Sequence, residues 1–277
     1  MKRLLRILLI IIAAFYLASC NADPKGLVSS SDVDKRFEDS LSLAKKDDLK
    51  IAIDEDFSFI VIADTHVYHG DASKLAALKE RIDQDIAGGS KDEFVVACGD
   101  ISQSGAAEDF RAFRDVFAKE PALPVYTAIG NHDLYFDGWS NYKEILGKSC
   151  YTFKAGPVRF VCFDSANGTL GRKQKNWLEG VLKAKTEPLC VVFTHFELFS
   201  PEVTTIQQYT DIEEAYYLVD LFRKTGVNYV LMGHSHDYYD KEVGGTRYVN
   251  IPDFVGSQNY FRFFVENGTI GYERKSL

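Results

Sequence analysis

The sequence predicts an α/β fold, built as one domain with a mixed, two-layered sheet core and helices outside. Short apolar runs alternate with amphipathic stretches through the middle of the chain, a pattern typical of βαβ units. Two apolar runs flank Lys154–Pro157 and predict a hairpin. Near the end, Gly244-Gly245 and Asn267-Gly268 are tight-turn signals, so antiparallel strands are expected at sheet edges or in a second sheet.

The central apolar runs are the predicted strands, because each is too short for a helix and is bounded by turn residues or ends in polar ones. Stretches with helical spacing separate them. A strand-turn-strand segment is expected at Cys150–Asp164, and we place the domain at residues 51–277. The predicted strands are Phe57–Ala63, Phe94–Cys98, Val125–Ile129, Leu189–Thr194 and Tyr229–Met232, and the predicted helices are Ser73–Ile86, Ala106–Ala118, Gln174–Ala184 and Ile212–Lys224.

The N-terminus has the organisation of an export signal. A basic start precedes an apolar run of twelve residues, Ile7–Ala18, which is too short to cross a bilayer and suits a signal-peptide core. It ends in Leu17-Ala18-Ser19-Cys20, which resembles the bacterial lipobox, where the cysteine is acylated. We predict a lipoprotein signal peptide at 1–19 and lipidation of Cys20. The protein is then expected to be exported and anchored by lipid to the bacterial cell envelope, on its periplasmic or cell-surface face.

Residues 20–50 are polar and predict a tether between the anchor and the domain. Within it, Val33, Phe37 and Leu41 recur every four residues. This spacing places them on one face of a helix, so a short amphipathic helix is expected in the tether.

The charge balance restricts the classes of partner. The formal net charge is −8, and because Lys2, Arg3 and Arg6 lie in the predicted leader, the mature part is near −11. An acidic protein lacks the basic surface with which proteins bind nucleic acid, so no nucleic-acid-binding surface is expected. A site that handles phosphate would need local positive charge, which bound metal can supply.

The cysteines of the domain show no metal-binding or redox spacing. Cys98, Cys150, Cys162 and Cys190 form no Cys-x-x-Cys pair, which argues against a zinc ribbon or a thioredoxin-like site. Cys150 and Cys162 flank the predicted hairpin turn, and a disulfide between them in an oxidising compartment and a set of free buried thiols both stay open.

Ligand-type residues end every central apolar run. The chain has six histidines, and five lie at these ends. Groups just past the carboxyl ends of strands converge on one crevice in open α/β sheets, so these residues are expected to meet. The run ends are Asp64-Thr65-His66, Gly99-Asp100, Gly130-Asn131-His132-Asp133, His195 and Gly233-His234-Ser235-His236.

The mixture of donors points to phosphate ester hydrolysis. That reaction needs a strong nucleophile near neutral pH and positive charge opposite the phosphoryl oxygens. Two cations about 3.5–4 Å apart provide both. Histidine, aspartate and asparagine donors suit Mn, Fe or Zn better than Mg or Ca, so two such ions are the expected cofactors.

The ordered motifs resemble those of the calcineurin-like metallophosphoesterase superfamily over residues 57–250. The stretch from Tyr151 to Leu178 is similar to the branch of bacterial cyclic-nucleotide phosphodiesterases and purple acid phosphatases. Gln103 and His66 depart from the purple acid phosphatase pattern, so a tyrosinate-bound ferric ion is not expected. The resemblance implies a sandwich of two mixed β-sheets flanked by helices.

The resemblance also implies roles for individual residues. It implies that His132 protonates the leaving group and that Asp133 orients a histidine or sets its pKa. It assigns Asp64, His66 and His236 to a first metal, Asn131, His195 and His234 to a second, and Asp100 to the bridge between them.

Other functions remain to be weighed against this one. Metallo-β-lactamase-like enzymes also use two metals, but their His-x-His-x-Asp-His motif comes early in the chain, whereas His234-Ser235-His236-Asp237 comes late and lacks the continuation. A surface lipoprotein that keeps the fold as a non-catalytic binding module is the other alternative. The substrate is expected to be a small phosphorylated molecule, with monoester or diester preference, metal identity and oligomeric state left open.

Overall fold

Two β-sheets pack face to face in the computed structural model, which describes residues 31–43, 53–199 and 208–277. The predicted signal peptide, Cys20 and the remainder of the predicted tether lie outside these residues. Helices cover the two outer faces of the sandwich. The predicted α/β class and the two-sheet sandwich are both confirmed.

One sheet has five strands. They are β1 (Phe57–Ile62), β2 (Asp92–Cys98), β3 (Val125–Ala128), β10 (Asn259–Glu266) and β11 (Thr269–Ser276). Their order is β11-β10-β1-β2-β3, with β1, β2 and β3 parallel and β10 antiparallel to β1. The side chains of β1 are buried on both faces, which explains its unbroken apolar sequence.

The other sheet has six strands. They are β4 (Tyr151–Ala155), β5 (Val158–Cys162), β6 (Leu189–Phe193), β7 (Tyr229–Met232), β8 (Tyr239–Val243) and β9 (Thr246–Asn250). Their order is β4-β5-β6-β7-β9-β8, with β5, β6, β7 and β9 parallel and the two edge strands antiparallel. The predicted hairpin forms β4 and β5, and the glycine pair at 244–245 turns β8 into β9.

Helices cover both sheets from outside. Apolar side chains of α2, α3 and α4 pack on the five-stranded sheet, and those of α5 and α6 pack on the six-stranded sheet. Among the described residues, no helix combines the length and the apolar character needed to cross a bilayer. The helices are α1 (Ser31–Ser42), α2 (Ser73–Ala87), α3 (Ala107–Ala118), α4 (Gly138–Ile145), α5 (Gly171–Ala184), α6 (Ile212–Thr225) and α7 (Phe254–Ser257).

An aromatic layer joins the sheets. The ring of Phe59 on β1 stacks on Phe94 at 5.1 Å and meets the edge of Phe160, from the opposite sheet, at 5.2 Å. All three side chains are fully buried. Each contributes about 1.5–3 kcal/mol by leaving water, so this layer fixes how the sheets are stacked.

Two helices, α4 and the four-residue α7, were not predicted from the sequence. The segment that forms α4 reads Gly-Trp-Ser-Asn-Tyr-Lys-Glu-Ile, and glycine, serine and asparagine are weak helix formers. Tyr142 and Ile145 are buried in the layer beneath it, and Trp139 is partly buried there. Tertiary packing therefore stabilises this helix more than its own propensity does.

The helix expected in the tether is present, and it is docked on the folded body. Helix α1 packs against α5, with Val33 and Phe37 buried and the Phe37 ring 5.8 Å from that of Trp177. Leu41, the third residue of the predicted stripe, is 43% exposed. At least this part of the N-terminal region is fixed in place.

The four cysteines of the domain are free and buried. Sγ of Cys150 lies 2.7 Å from Oε1 of Gln174, and Sγ of Cys162 lies 3.5 Å from the carbonyl oxygen of Ser149. Of the two alternatives left open by the sequence, the structure has free thiols.

Candidate metal centre

The predicted donors meet at one end of the sandwich. Strands β1, β2 and β3 of one sheet and β6 and β7 of the other end at this edge, and a donor-bearing loop follows each of them. Both sheets therefore contribute to a single site. The five-stranded sheet supplies Asp64, His66, Asp100, Asn131 and His132, and the six-stranded sheet supplies His195, His234 and His236.

The outer donor group consists of Asp64, His66 and His236, and its ligand atoms all lie within 4.8 Å of one another. Nε2 of His236 lies 3.4 Å from Oδ1 of Asp64 and 3.3 Å from Nε2 of His66. The side chain of His236 is 48% exposed, whereas that of Asp64 is fully buried. This group is the part of the site nearest to solvent.

The inner donor group consists of Asn131, His195 and His234. Nε2 of His195 lies 3.0 Å from Oδ1 of Asn131, and the rings of His195 and His234 are 5.0 Å apart. Nδ1 of His195 donates to the carbonyl oxygen of Cys98 at 2.8 Å, which leaves Nε2 facing the cluster. Phe196 stacks on the His234 ring at 4.0 Å.

Asp100 lies between the two groups. Its Oδ2 is 3.9 Å from Nε2 of His66 in the outer group and 3.4 Å from Nε2 of His195 in the inner group. Its Oδ1 accepts the backbone N–H of His132 at 2.9 Å. Burial disfavours its charged form, but the nearby imidazoles, His195 first, hold its pKa below the ordinary value. A buried carboxylate that touches both groups is placed to serve both.

The backbone is strained where the donors sit. Five of them have a left-handed φ, a region that non-glycine residues rarely adopt: 51° at Asp64, 42° at His66, 49° at Asp100, 76° at His234 and 62° at His236. Such strain costs about 1–3 kcal/mol per residue, and it clusters at functional sites in proteins. The strained backbone therefore lowers the stability of the fold and holds these side chains in the orientation that the site needs.

Two glycines allow the loops to approach one another. A Cβ on Gly130 would lie 2.2 Å from Oδ1 of Asp100, and one on Gly233 would lie 2.5 Å from Oδ2 of Asp64. No side chain fits at either position. Hydrogen bonds complete the contacts: the N–H of His234 donates to Oδ2 of Asp64 at 3.0 Å.

A buried amide holds the loop that carries His234 and His236. Nδ2 of Asn250, at the end of β9, donates to Oγ of Ser235 at 2.8 Å and to the carbonyl oxygen of Asp237 at 2.7 Å. Two histidine donors thus depend on one side chain that no motif of the sequence singled out.

His132 stands beside both donor groups. Its Nδ1 donates to the carbonyl oxygen of Gln103 at 2.9 Å, and the hydroxyl of Tyr135 lies 3.4 Å from its Nε2. Its ring is 4.8 Å from that of His66. With Nδ1 occupied, Nε2 is the nitrogen left to exchange a proton in the site.

Asp133 acts on the loop that carries Asn131 and His132. Its two oxygens accept the backbone N–H groups of Ser102 at 2.8 Å and Gly130 at 2.9 Å. Burial, and then repulsion from Asp100, raise the pKa of Asp133 to about 8. These bonds tie the loops after β2 and β3 together and so help to position the loop that carries His132.

The donor atoms fit a cation. Among the described residues, the buried Oδ1 of Asp64 accepts no hydrogen bond and faces Nε2 of His236 at 3.4 Å and Nε2 of His66 at 3.9 Å. A buried carboxylate oxygen without a hydrogen bond is costly. Two imidazole nitrogens 3.3 Å apart would also repel each other through their lone pairs without a proton or cation between them. Burial opposes charge on His195, but the neighbouring carboxylates of Asp100 and Asp64 raise its pKa to about 10. Imidazole, carboxylate and amide donors together suit Mn, Fe or Zn.

Sequence reasoning missed the residues that support the donors. Ser165, Asn250 and the carbonyl groups of Cys98 and Gln103 were not expected to touch the site. Ser165 carried a usable signal, because it follows β5 as the donors follow their own strands. His69, the sixth histidine, is exposed and lies 3.8 Å from a carboxylate oxygen of Glu108.

Solved structures share the fold at low sequence identity. GAP50, the anchor in the inner membrane complex of Plasmodium, is 14% identical with a TM-score of 0.57, covering 80% of this chain and 84% of that chain. PhoD is 11% identical with a TM-score of 0.55, covering 80% and 68%. A putative 5'-nucleotidase from Staphylococcus aureus is 13% identical with a TM-score of 0.50, covering 80% and 53%.

Curated protein sequences give no match to this chain. The family-level comparison is positive, and it agrees with the resemblance drawn from the motifs. The profile of the calcineurin-like phosphoesterases matches residues 57–238, a span that contains all of the donors, and the chain belongs to that family.

Proposed function

We propose that this protein hydrolyses phosphate esters with a pair of metal ions held between its two sheets. The observation that carries the proposal is the convergence of seven nitrogen and oxygen donors, with Asp100 between the other six and within 3.9 Å of an imidazole nitrogen in each group. Membership of the calcineurin-like phosphoesterases supports phosphate esters as the substrate class.

Each donor group would hold one ion, and Asp100 would contact both. When bound, the ions supply positive charge opposite the phosphoryl oxygens and make hydroxide available near neutral pH. The protein's contribution is a preformed site: hydrogen bonds orient the imidazole of His195 and the carboxylates of Asp64 and Asp100. A preformed site avoids the cost of ordering its groups during the reaction.

His132 would donate the proton that the leaving alkoxide needs. The carbonyl of Gln103 fixes its ring through Nδ1, so a proton on Nε2 has a defined position. When the P–O bond breaks, transfer of this proton neutralises the departing oxygen, and such general-acid help is worth about 10²–10⁴ in rate. Leaving groups that are poor in themselves depend on it most.

The substrate is proposed to be a small phosphorylated molecule outside the cytoplasm. The leader and the lipobox-like sequence at Cys20 support export and a lipid anchor in the bacterial cell envelope. The net charge of −8 argues against nucleic acid as a partner. Replacing Cys20 with serine should abolish incorporation of a labelled fatty acid into the protein, and labelling that persisted in the variant would overturn the anchor.

The activity can be tested with two chromogenic esters. The purified chain would be assayed on bis-p-nitrophenyl phosphate and p-nitrophenyl phosphate with Mn²⁺, before and after chelation. We expect turnover of at least one ester that chelation abolishes and Mn²⁺ restores. His69→Ala is the matched control, because this exposed histidine lies outside both donor groups and its loss should not change the rate.

A binding module is the second candidate. GAP50, which shares this fold, is described as the anchor in the inner membrane complex of Plasmodium, so attachment is a role that this fold can take. If the chain bound Mn²⁺ but turned over neither ester, this alternative would replace the enzyme.

A further inference from the structure

We infer that the N-terminal helix α1 positions the inner metal-binding group through Arg36, Asp164 and Ser165. The inference rests on the proposed function of the site. Helix α1 lies outside the two sheets and follows the predicted anchor in sequence. In this role it is one of the elements that hold His195 in place.

The first link is a buried ion pair. Nε of Arg36 donates to Oδ2 of Asp164 at 2.7 Å, and Nη2 donates to Oδ1 at 3.0 Å. The two side chains are only 8% and 3% exposed. Paired parallel bonds of this kind fix orientation as well as distance. Without the guanidinium, Asp164 would be a buried charge lacking its partner, which proteins tolerate poorly.

The second link is the loop after β5, which Asp164 begins. The backbone N–H of Asp164 donates to Oε1 of Gln174 at 2.7 Å, and Nε2 of Gln174 donates to the carbonyl oxygen of Asp164 at 2.8 Å. Oδ1 of Asp164 accepts the N–H of Ala166 at 3.1 Å. The residues on both sides of Ser165 are thus held by the carboxylate that Arg36 pairs with.

The third link joins Ser165 to the metal-binding loop. Oγ of Ser165 accepts the N–H of Phe196 at 2.8 Å and makes a hydrogen bond with the hydroxyl of Thr194 at 2.8 Å. Those two residues flank His195 in sequence, and Phe196 also stacks on His234 at 4.0 Å. One buried hydroxyl therefore contacts the backbone just after His195, the side chain just before it and, through Phe196, the ring that stacks on His234.

Helix α1 is held at two further points, so it is a fixed reference for this chain of contacts. Oγ of Ser40 accepts the N–H groups of Ser149 at 3.0 Å and Cys150 at 3.1 Å. Near the start of the helix, Oδ1 of Asp34 accepts the N–H of Lys173 at 3.0 Å. These contacts lie near the end of the six-stranded sheet from which His195 emerges, because Cys150 immediately precedes β4 and Lys173 lies in the first turn of α5.

Metal titration on the full chain, purified in detergent and stripped with chelator, tests the inference. Mn²⁺ binding to the wild type, Arg36→Ala and Lys35→Ala would be followed by calorimetry, with the melting temperature of each apo protein recorded. Lys35 is the control, since it lies on the same helix with a 70% exposed side chain. We expect Arg36→Ala to weaken one of two Mn²⁺ sites by about 10–100-fold, the range for residues that orient metal ligands. Lys35→Ala should leave both sites unchanged.

Ser165→Ala separates positioning from stability. It removes the hydroxyl without leaving a buried charge, so it tests the last link even if Arg36→Ala does not fold. The same Mn²⁺ site should weaken in both variants. A purely structural role would lower the melting temperature and leave metal affinity intact, and that result in Ser165→Ala would overturn the inference. If the wild type itself bound no Mn²⁺, both the proposed function and the role of α1 would be wrong.

Discussion

The two donor groups differ in how firmly the protein holds them. In the inner group, His195 is fully buried, its Nδ1 is bonded to the Cys98 carbonyl, and its neighbours in sequence are tied to Ser165. In the outer group, His236 is half exposed, and the buried Nδ1 of His66 has no hydrogen-bond partner among the described residues. The inner group is preorganised, whereas the outer group depends more on what it binds.

This difference predicts that the two groups exchange their metal ions at different rates. A metal ion in the inner group would be held by His195, whose ring is bonded to the Cys98 carbonyl, and by His234, whose ring stacks on Phe196, so it should bind tightly and exchange slowly. An ion in the outer group would sit nearer to solvent, where substrate must enter. The comparison therefore predicts one permanent and one exchangeable ion, joined through Asp100.

The largest expected effect comes from Asp100→Ala, because this variant removes the one carboxylate common to both groups. We expect loss of both metals and of all measurable turnover. Elemental analysis of the purified variant gives the metal content directly. A variant that kept two equivalents of metal would remove the link on which the comparison is based.

His132→Ala should give the next largest effect. Neither donor group includes His132, so both metals should stay bound, while the rate on esters with poor leaving groups should fall by about 10²–10⁴. An activated ester such as p-nitrophenyl phosphate should be affected less. Equal loss on both kinds of ester would show that His132 has a different role.

Replacing one histidine from each group compares the groups themselves. Loss of a residue that only orients a metal ligand costs about 10–100-fold in affinity. We therefore expect loss of the buried ligand in His195→Ala to lower Mn²⁺ affinity by at least about 100-fold, and the half-exposed ligand lost in His236→Ala to cost less. Competition with a fluorescent chelator would measure both. If His236→Ala proved the more damaging, the assignment of the inner group as the firmer one would be reversed.

Metal removal should have the smallest effect, and it acts on stability. A ligand at 100 times its dissociation constant stabilises the folded state by about 2.7 kcal/mol, which is a shift of about 5–10 °C in a domain of this size. Thermal melts with Mn²⁺ and with chelator would show the shift. Two steps of metal release on slow chelation would support the two classes of ion, and a single step would argue against them.

The convergence of the candidate donors could be predicted because it follows from strand order. Asp64 and His195 come directly after an apolar run, Asp100 follows one after a single glycine, and parallel strands bring such ends together. The fold class and the sandwich follow from the same alternation and from the family resemblance. Both patterns are local in the sequence, so they can be recognised without knowing which residues are in tertiary contact.

The supporting contacts could not be predicted, because they join distant parts of the chain. Arg36 and Asp164 are 128 residues apart, and nothing in the spacing of polar residues connects them. Helix α4 was missed for a related reason: its residues are weak helix formers, and their packing on the sheet decides its structure. The side chain that supports a given donor is determined by tertiary contacts, and sequence periodicity does not encode these.

The origin of the donors on two different sheets has a mechanical consequence. Each ion would be held by groups from both layers, so a slip of one layer over the other by about 1 Å would change every bond in the centre together, and misplacements of that size cost about 10²-fold in rate. The aromatic packing around Phe59 and Phe160, remote from any reacting atom, therefore sets the precision with which the reacting groups are aligned. A shift of the two layers that is too small to unfold the protein would therefore still lower its rate of turnover.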